Sequence, residues 1–119
     1  MLILRHFEEL NNNDTAAVLG ISVCCSSGDS GALADPLDRR PHVCFPASSA
    51  YVIACGGTSL APGRGGARRE RPWANRRGAS GGGASALIPR PPWQTGVVPS
   101  RASGPARRMV PDVAANADP

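Results

Sequence analysis

The chain has 119 residues, enough for one modest core and no more, and its 41% hydrophobic content is diluted by 14 glycines and 12 prolines with only 4% aromatic residues. The formal charge of +4 comes entirely from arginine, since the sequence contains no lysine, and the arginines concentrate between Arg64 and Arg101. Met1 to Leu4 is apolar for four residues before Arg5, too short for a signal-peptide core or a membrane span, so no export signal and no membrane partner are expected of this chain.

In chain order, Phe7, Leu10, Ala17 and Val18 fall on one helical face and Gly20 suits a C-cap, which predicts a helix ending there. Ile21 to Cys25 is a short apolar run rich in strand formers and stops at Ser26-Ser27-Gly28-Asp29-Ser30-Gly31, so a buried strand followed by a tight loop is predicted. Helix, buried strand and Gly-rich loop in that order are the rhythm of a parallel α/β sheet, in which ligands gather at the carboxyl ends of strands. Pro36, Pro41 and Pro46 make the next stretch turn-rich. Tyr51 to Cys55 then predicts a second buried strand, running into a loop at Gly56-Gly57-Thr58. Residues 62–83 are dominated by Gly and Arg without periodicity and are expected to be an exposed or disordered excursion. Pro89, Pro91, Pro92 and Pro99 exclude a regular helix, and Val110 to Ala114 is the last recognisable element.

Cys24, Cys25, Cys44 and Cys55 contain no C-x-x-C pair, so zinc-ribbon and thioredoxin-type chemistry are excluded by motif, and the four are expected to be small core hydrophobes. Vicinal Cys24 and Cys25 point to opposite faces if that segment is extended. His42 and Cys44 would share a face, yet two ligands without a second pair make a poor metal site. Gly-Asp-Ser-Gly alone is ordinary turn chemistry.

Context gives that loop meaning. After it come His42-Val43-Cys44-Phe45-Pro46-Ala47-Ser48-Ser49, Tyr51 to Leu60, Gly81-Gly82-Gly83-Ala84-Ser85, Pro92-Trp93-Gln94, Val110-Pro111-Asp112-Val113-Ala114 and Asn116-Ala117-Asp118-Pro119. Their order and spacing resemble the sedolisin family of serine-carboxyl peptidases, over roughly Ala16 to Leu60 and Gly81 to Pro119. The resemblance implies an α/β fold: an incomplete subtilisin-like parallel sheet with a flanking helix and long Gly/Pro/Arg-rich loops. It divides the chain into a partial peptidase domain at 1–62, an Arg/Gly-rich loop at 63–80 and a continuation of the peptidase domain at 81–119. By the same resemblance Asp29 is the oxyanion-hole acid, while Ser26, Ser27 and Gly28 line the neighbouring substrate pocket. An aspartate anion would repel a tetrahedral oxyanion, so such a group helps only when protonated, which implies work at acidic pH or a raised pKa.

The resemblance also shows what this stretch lacks. Ser59 is not the nucleophile, because Pro62 follows it by three positions instead of the family's four, and Gly63, Arg64, Gly65 and Gly66 cannot form the required helix. No Glu/Asp pair stands four apart, since Glu8 and Glu9 are followed at that spacing by Asn12 and Asn13. His6 and His42 have no Ser and Asp partners by motif. Cys44 stands where relatives usually carry Asp, and Ala50 where they often carry Pro. Asp112 matches a recurring acid read as structural, and Trp73 and Trp93 are read as packing or loop anchors. The chain is therefore expected to be a fragment of an acid-acting serine endopeptidase, inactive by itself. No cofactor is expected in it, with the family's calcium loop lying downstream of Pro119. The implied partner is a peptide or protein substrate rather than a nucleic acid, and the implied location is extracellular. Two rivals stay open: a basic segment whose Arg64 to Arg77 cluster contacts nucleic acid or another polyanion, and a degenerate product without function.

Overall fold

The computed structural model describes residues 19–34, 37, 40–66, 68–96 and 106–117. The helix predicted from Phe7 lies outside these residues, except that Leu19 and Gly20 form a turn in which Gly20 has a φ of 69°, and no α-helix occurs among the described residues. Eight short strands dominate the described part: β1 (Cys24–Ser26), β2 (Ile53–Pro62), β3 (Arg68–Pro72), β4 (Ala74–Asn75), β5 (Gly78–Ala79), β6 (Gly83–Pro89), β7 (Arg107–Val110) and β8 (Val113–Asn116). Single 3-10 turns occupy Arg64–Gly66 and Pro92–Gln94, the latter in a segment whose prolines forbid a longer helix.

Strand β2 is the organising element. It pairs parallel with β1 in the register Cys24 with Ile53, Cys25 with Ala54 and Ser26 with Cys55, and parallel with β8 from Cys55 opposite Val113 to Thr58 opposite Asn116. Its far half pairs antiparallel with β3, from Thr58 opposite Pro72 to Pro62 opposite Arg68. Ser27 N–H donates to Cys55 O and Trp73 N–H to Gly57 O, whereas Asp112 N–H donates to Ala54 O and Ala117 N–H to Thr58 O. Alternate residues of a strand turn their backbone groups to opposite sides, so β1 and β3 share one edge of β2 and β8 takes the other.

The parallel sheet read from the two apolar runs is present, with corrections to its extent and burial. β1 covers only Cys24–Ser26, and with β2 as its one ladder partner among the described residues it leaves Cys24 and Ser26 exposed, so it is not the buried strand expected over Ile21 to Cys25. β2 does not stop at Gly56-Gly57-Thr58 but continues to Pro62, because β3 and β8 supply ladder partners for those residues. The 62–83 stretch, expected to be an exposed or disordered excursion, is exposed throughout β3 and β4 but is not irregular, since it folds into β3, β4 and β5. Backbone pairing needs no hydrophobic periodicity, which is why composition hid these strands. Val110 to Ala114 proves to be two strands, β7 and β8, separated by Pro111 and Asp112.

The core is small, as the composition demands. Ala47, Ala54 and Val110 form it, with Cys25 and Val43 packed alongside. Such side chains bury little apolar area, so a share of the cohesion falls to the polar cluster around Arg108, which is fully buried.

Candidate functional site

The loop after β1 is shaped by its own side chains. Ser26 Oγ accepts a 3.2 Å hydrogen bond from Gly28 N–H, two residues on, and Gly28 takes a φ of 101°, which only glycine adopts readily. That turn delivers Asp29, exposed, to the carboxyl end of a strand in a parallel pair. The loop is then clamped from outside. Gly28 O accepts from Gly81 N–H at 2.6 Å, Asp29 O accepts from Ala79 N–H at 2.9 Å, and Gly31 N–H donates to Ala79 O at 2.9 Å. A Cβ on Gly81 would overlap the Ser27 carbonyl, so close backbone approach requires glycine there.

A cleft of about 330 Å³ opens here, lined by Ser26, Ser27, Gly28 and Asp29 together with Gly57, Trp73 and Ser80. All four residues assigned by resemblance thus meet in one place. Ser27 differs from its neighbours: it is 2% exposed, and its Oγ has no hydrogen-bond partner among the described residues. Two features of the cleft were not legible in the sequence. Trp73 borders it instead of merely anchoring a loop, and Ser80 Oγ accepts a 2.9 Å hydrogen bond from Gly57 N–H, fixing that part of the lining. Both come from the 63–80 stretch, whose lack of periodicity gave no signal.

The cysteines divide by face. Cys25 packs on the core, as expected of a small hydrophobe, whereas Cys24 is exposed; both border the cleft together with Cys55. Burial pushes the Cys55 thiol up, helped by the charge and hydrogen bond of neighbouring Cys24 and by Cys25 and Asp112. Cys44 Sγ lies directly against Gly28, where a Cβ would approach it to 2.7 Å. Among the described residues no three His, Cys, Asp or Glu side chains converge as a metal site of that kind needs. Ser59 lies within β2 opposite Arg71, in extended backbone.

Behind the sheet lies a buried polar hub that the sequence reading missed apart from Asp112. Arg108, 0% exposed, forms a two-pronged pair with Asp112 at 2.6 Å on both oxygens. Its remaining donors go to the carbonyls of Ser49 at 3.2 Å, Ala47 at 3.3 Å, Val52 at 3.4 Å and Met109, and its guanidinium carbon lies 4.6 Å from the centre of the Trp93 ring. Asp112 Oδ2 accepts from Ala54 N–H at 2.8 Å, and Gln94 Nε2 donates to Asp112 Oδ1 at 2.9 Å. Asp112 therefore meets both backbone groups of Ala54, one with its carboxylate and one with its N–H. Burial pushes its carboxyl up. The hydrogen bonds from Arg108 and Ala54, the Arg108 charge and the Gln94 amide outweigh that, so it stands below the ordinary value of 3.8. The hub is a structural device that fixes β2 against β8, as the structural reading of Asp112 anticipated.

With this geometry in view, comparison with known proteins is direct. The chain is 47% identical over 109 residues to kumamolisin from a Bacillus species, an overlap covering 87% of this chain and 20% of kumamolisin. It is 36% identical over 91 residues to a tripeptidyl-peptidase of Aspergillus fumigatus, covering 66% of this chain and 16% of that protein. It is 36% identical over 115 residues to sedolisin from a Pseudomonas species, covering 87% of this chain and 19% of that protein. Among solved structures, Pseudomonas sedolisin, a serine-carboxyl proteinase complexed with two molecules of pseudo-iodotyrostatin, superposes with a TM-score of 0.63 at 34% identity, covering 87% of this chain and 30% of that one. No family model matches the chain. The chain belongs to the sedolisin family of serine-carboxyl peptidases. It spans about a fifth of the length of the curated relatives it matches.

Proposed function

We propose that this chain supplies the oxyanion-hole portion of a serine-type endopeptidase acting on peptide bonds at acidic pH, with Asp29 as the donor to the oxyanion. The observation that carries the reading is the position of Asp29, exposed at the carboxyl end of β1, beside a cleft next to a second parallel strand. As a serine attacks a scissile carbonyl, negative charge builds on its oxygen, and a protonated carboxyl at that spot stabilises the charge by donating a hydrogen bond. The backbone clamps from Ala79 and Gly81 hold the loop rigid, so little reorganisation is needed at the moment of reaction. Ser26, Ser27 and Gly28 are read as one wall of the substrate pocket, with Ser27 contributing mainly backbone because its side chain is buried.

The same reading places a flanking helix at the N-terminal periodic segment of a subtilisin-like sheet, the work outside the cell, and any calcium beyond Pro119. Nucleophile and carboxylate pair are read as absent from this chain, so the purified chain is expected to hydrolyse no peptide at any pH. Acidic turnover abolished by Asp29→Ala would overturn that expectation. The role of Asp29 is tested by grafting residues 21–60 in place of the matching segment of kumamolisin. The active chimera should lose about 100- to 1000-fold in kcat on Asp29→Ala, with KM little changed, and an unchanged kcat would remove Asp29 from the mechanism.

A second reading is favoured by one observation: Arg68, Arg69 and Arg71 on β3 and Arg76 and Arg77 in the next turn are all exposed. Contact with a polyanion would then fall steeply with salt as counterions are released, and binding insensitive to salt would dismiss it.

A further inference from the structure

Three free cysteines, Cys24, Cys25 and Cys55, border the Asp29 cleft, and the faces their side chains take follow from strand register. Parallel partners present their side chains on the same sheet face and alternate residues return to it. The pairing of Cys24 with Ile53 and of Ser26 with Cys55 therefore puts Cys24, Ser26 and Cys55 together on one face. Cys25 takes the opposite face, against Ala54 in the core. Cys24 and Cys55 are thus diagonal neighbours bordering one cleft. Both are free cysteines, Cys24 exposed and Cys55 partly so.

We propose that Cys24 and Cys55 form a two-thiolate site for a soft, closed-shell metal cation of the copper(I), silver(I) or mercury(II) class at the edge of the Asp29 cleft. Diagonal Cα atoms two residues apart along strands about 4.8 Å apart are separated by about 8 Å. That is beyond the roughly 7 Å over which a disulfide closes without backbone movement. A linear sulfur–metal–sulfur bridge, with two bonds of about 2.3 Å as at zinc, spans the larger gap. Soft thiolates select soft cations over the hard calcium or magnesium, and two ligands suffice for the linear geometry those cations accept but not for the tetrahedral four that zinc takes. On binding, each thiol loses its proton to solvent and two metal–sulfur bonds form; no electron is transferred.

The test uses the purified, reduced chain in chloride-free buffer, titrated with silver(I) nitrate and read by calorimetry and native mass spectrometry. The wild type should show one tight step of one ion per chain. Cys24→Ser and Cys55→Ser should each weaken that step at least about tenfold, since one thiolate then replaces two. Cys25→Ser and Cys44→Ser should leave it intact. Cys24 is exposed, so its serine variant removes no core packing, and an unchanged dichroism spectrum confirms its fold. A tight step unaffected by Cys24→Ser, or one lost in Cys25→Ser, would overturn the assignment, the latter by showing that the vicinal pair binds instead.

Discussion

Replacing Arg108 by methionine removes the guanidinium while keeping a long, apolar side chain in place. Arg108 is 0% exposed, and the variant would leave the Asp112 carboxylate without its counter-charge. The carbonyls of Ser49, Ala47 and Val52 would each lose a donor as well. Breaking a buried pair by removing one partner costs about 3 to 5 kcal/mol, because the remaining charge stays desolvated. Against a native stability of roughly 5 to 15 kcal/mol, that is about a fifth or more of the total. With a urea slope of about 1 to 3 kcal/mol per molar, the unfolding midpoint should fall by roughly 2 M, followed by near-ultraviolet circular dichroism. Arg108→Lys should recover little, since an ammonium cannot reproduce the two-pronged contact with both Asp112 oxygens. The double variant Arg108→Met with Asp112→Leu should lose less than the sum of the two single changes, as coupled partners do. A midpoint shift below about 0.5 M for Arg108→Met, or strict additivity in the cycle, would refute the view that this pair holds the sheet together.

Acid should weaken the fold in a defined window. The Asp112 carboxyl is depressed in the folded state, so its stabilisation is complete above its ordinary value of 3.8 and is lost only as pH falls through the lower folded value. Urea midpoints measured downward from pH 5 should show this loss in the wild type, and Asp112→Asn should be less stable above the window and lack that component of the acid decline. A hub that stays ionised in moderate acid suits a protein proposed to work there. Gly81→Ala should destabilise by more than about 1 kcal/mol, since its methyl group would meet the Ser27 carbonyl and push the Asp29 loop away. Thermal unfolding reads this directly, and a variant as stable as wild type would show that the loop is not held as described.

The sequence by itself determined the parts of this protein that local pattern controls. The apolar runs at Ile21 and Tyr51 marked β1 and β2, and Ser26-Ser27-Gly28-Asp29 marked a turn because serine and glycine close one through short-range hydrogen bonds and a positive φ. Block order carried the family. Tertiary structure alone decided the rest. Arg108 reads in sequence as one more surface arginine, yet it meets Ala47, Ser49 and Val52, residues 56 to 61 positions away. The Gly/Arg stretch reads as an exposed or disordered excursion, yet its backbone completes the edge of β2 and clamps the Asp29 loop. Periodicity reports which side chains face water along a local segment. It carries no information about which distant carbonyls a buried cation will satisfy, or which polar strand will find a ladder partner, because those energies exist only once the chain has closed on itself.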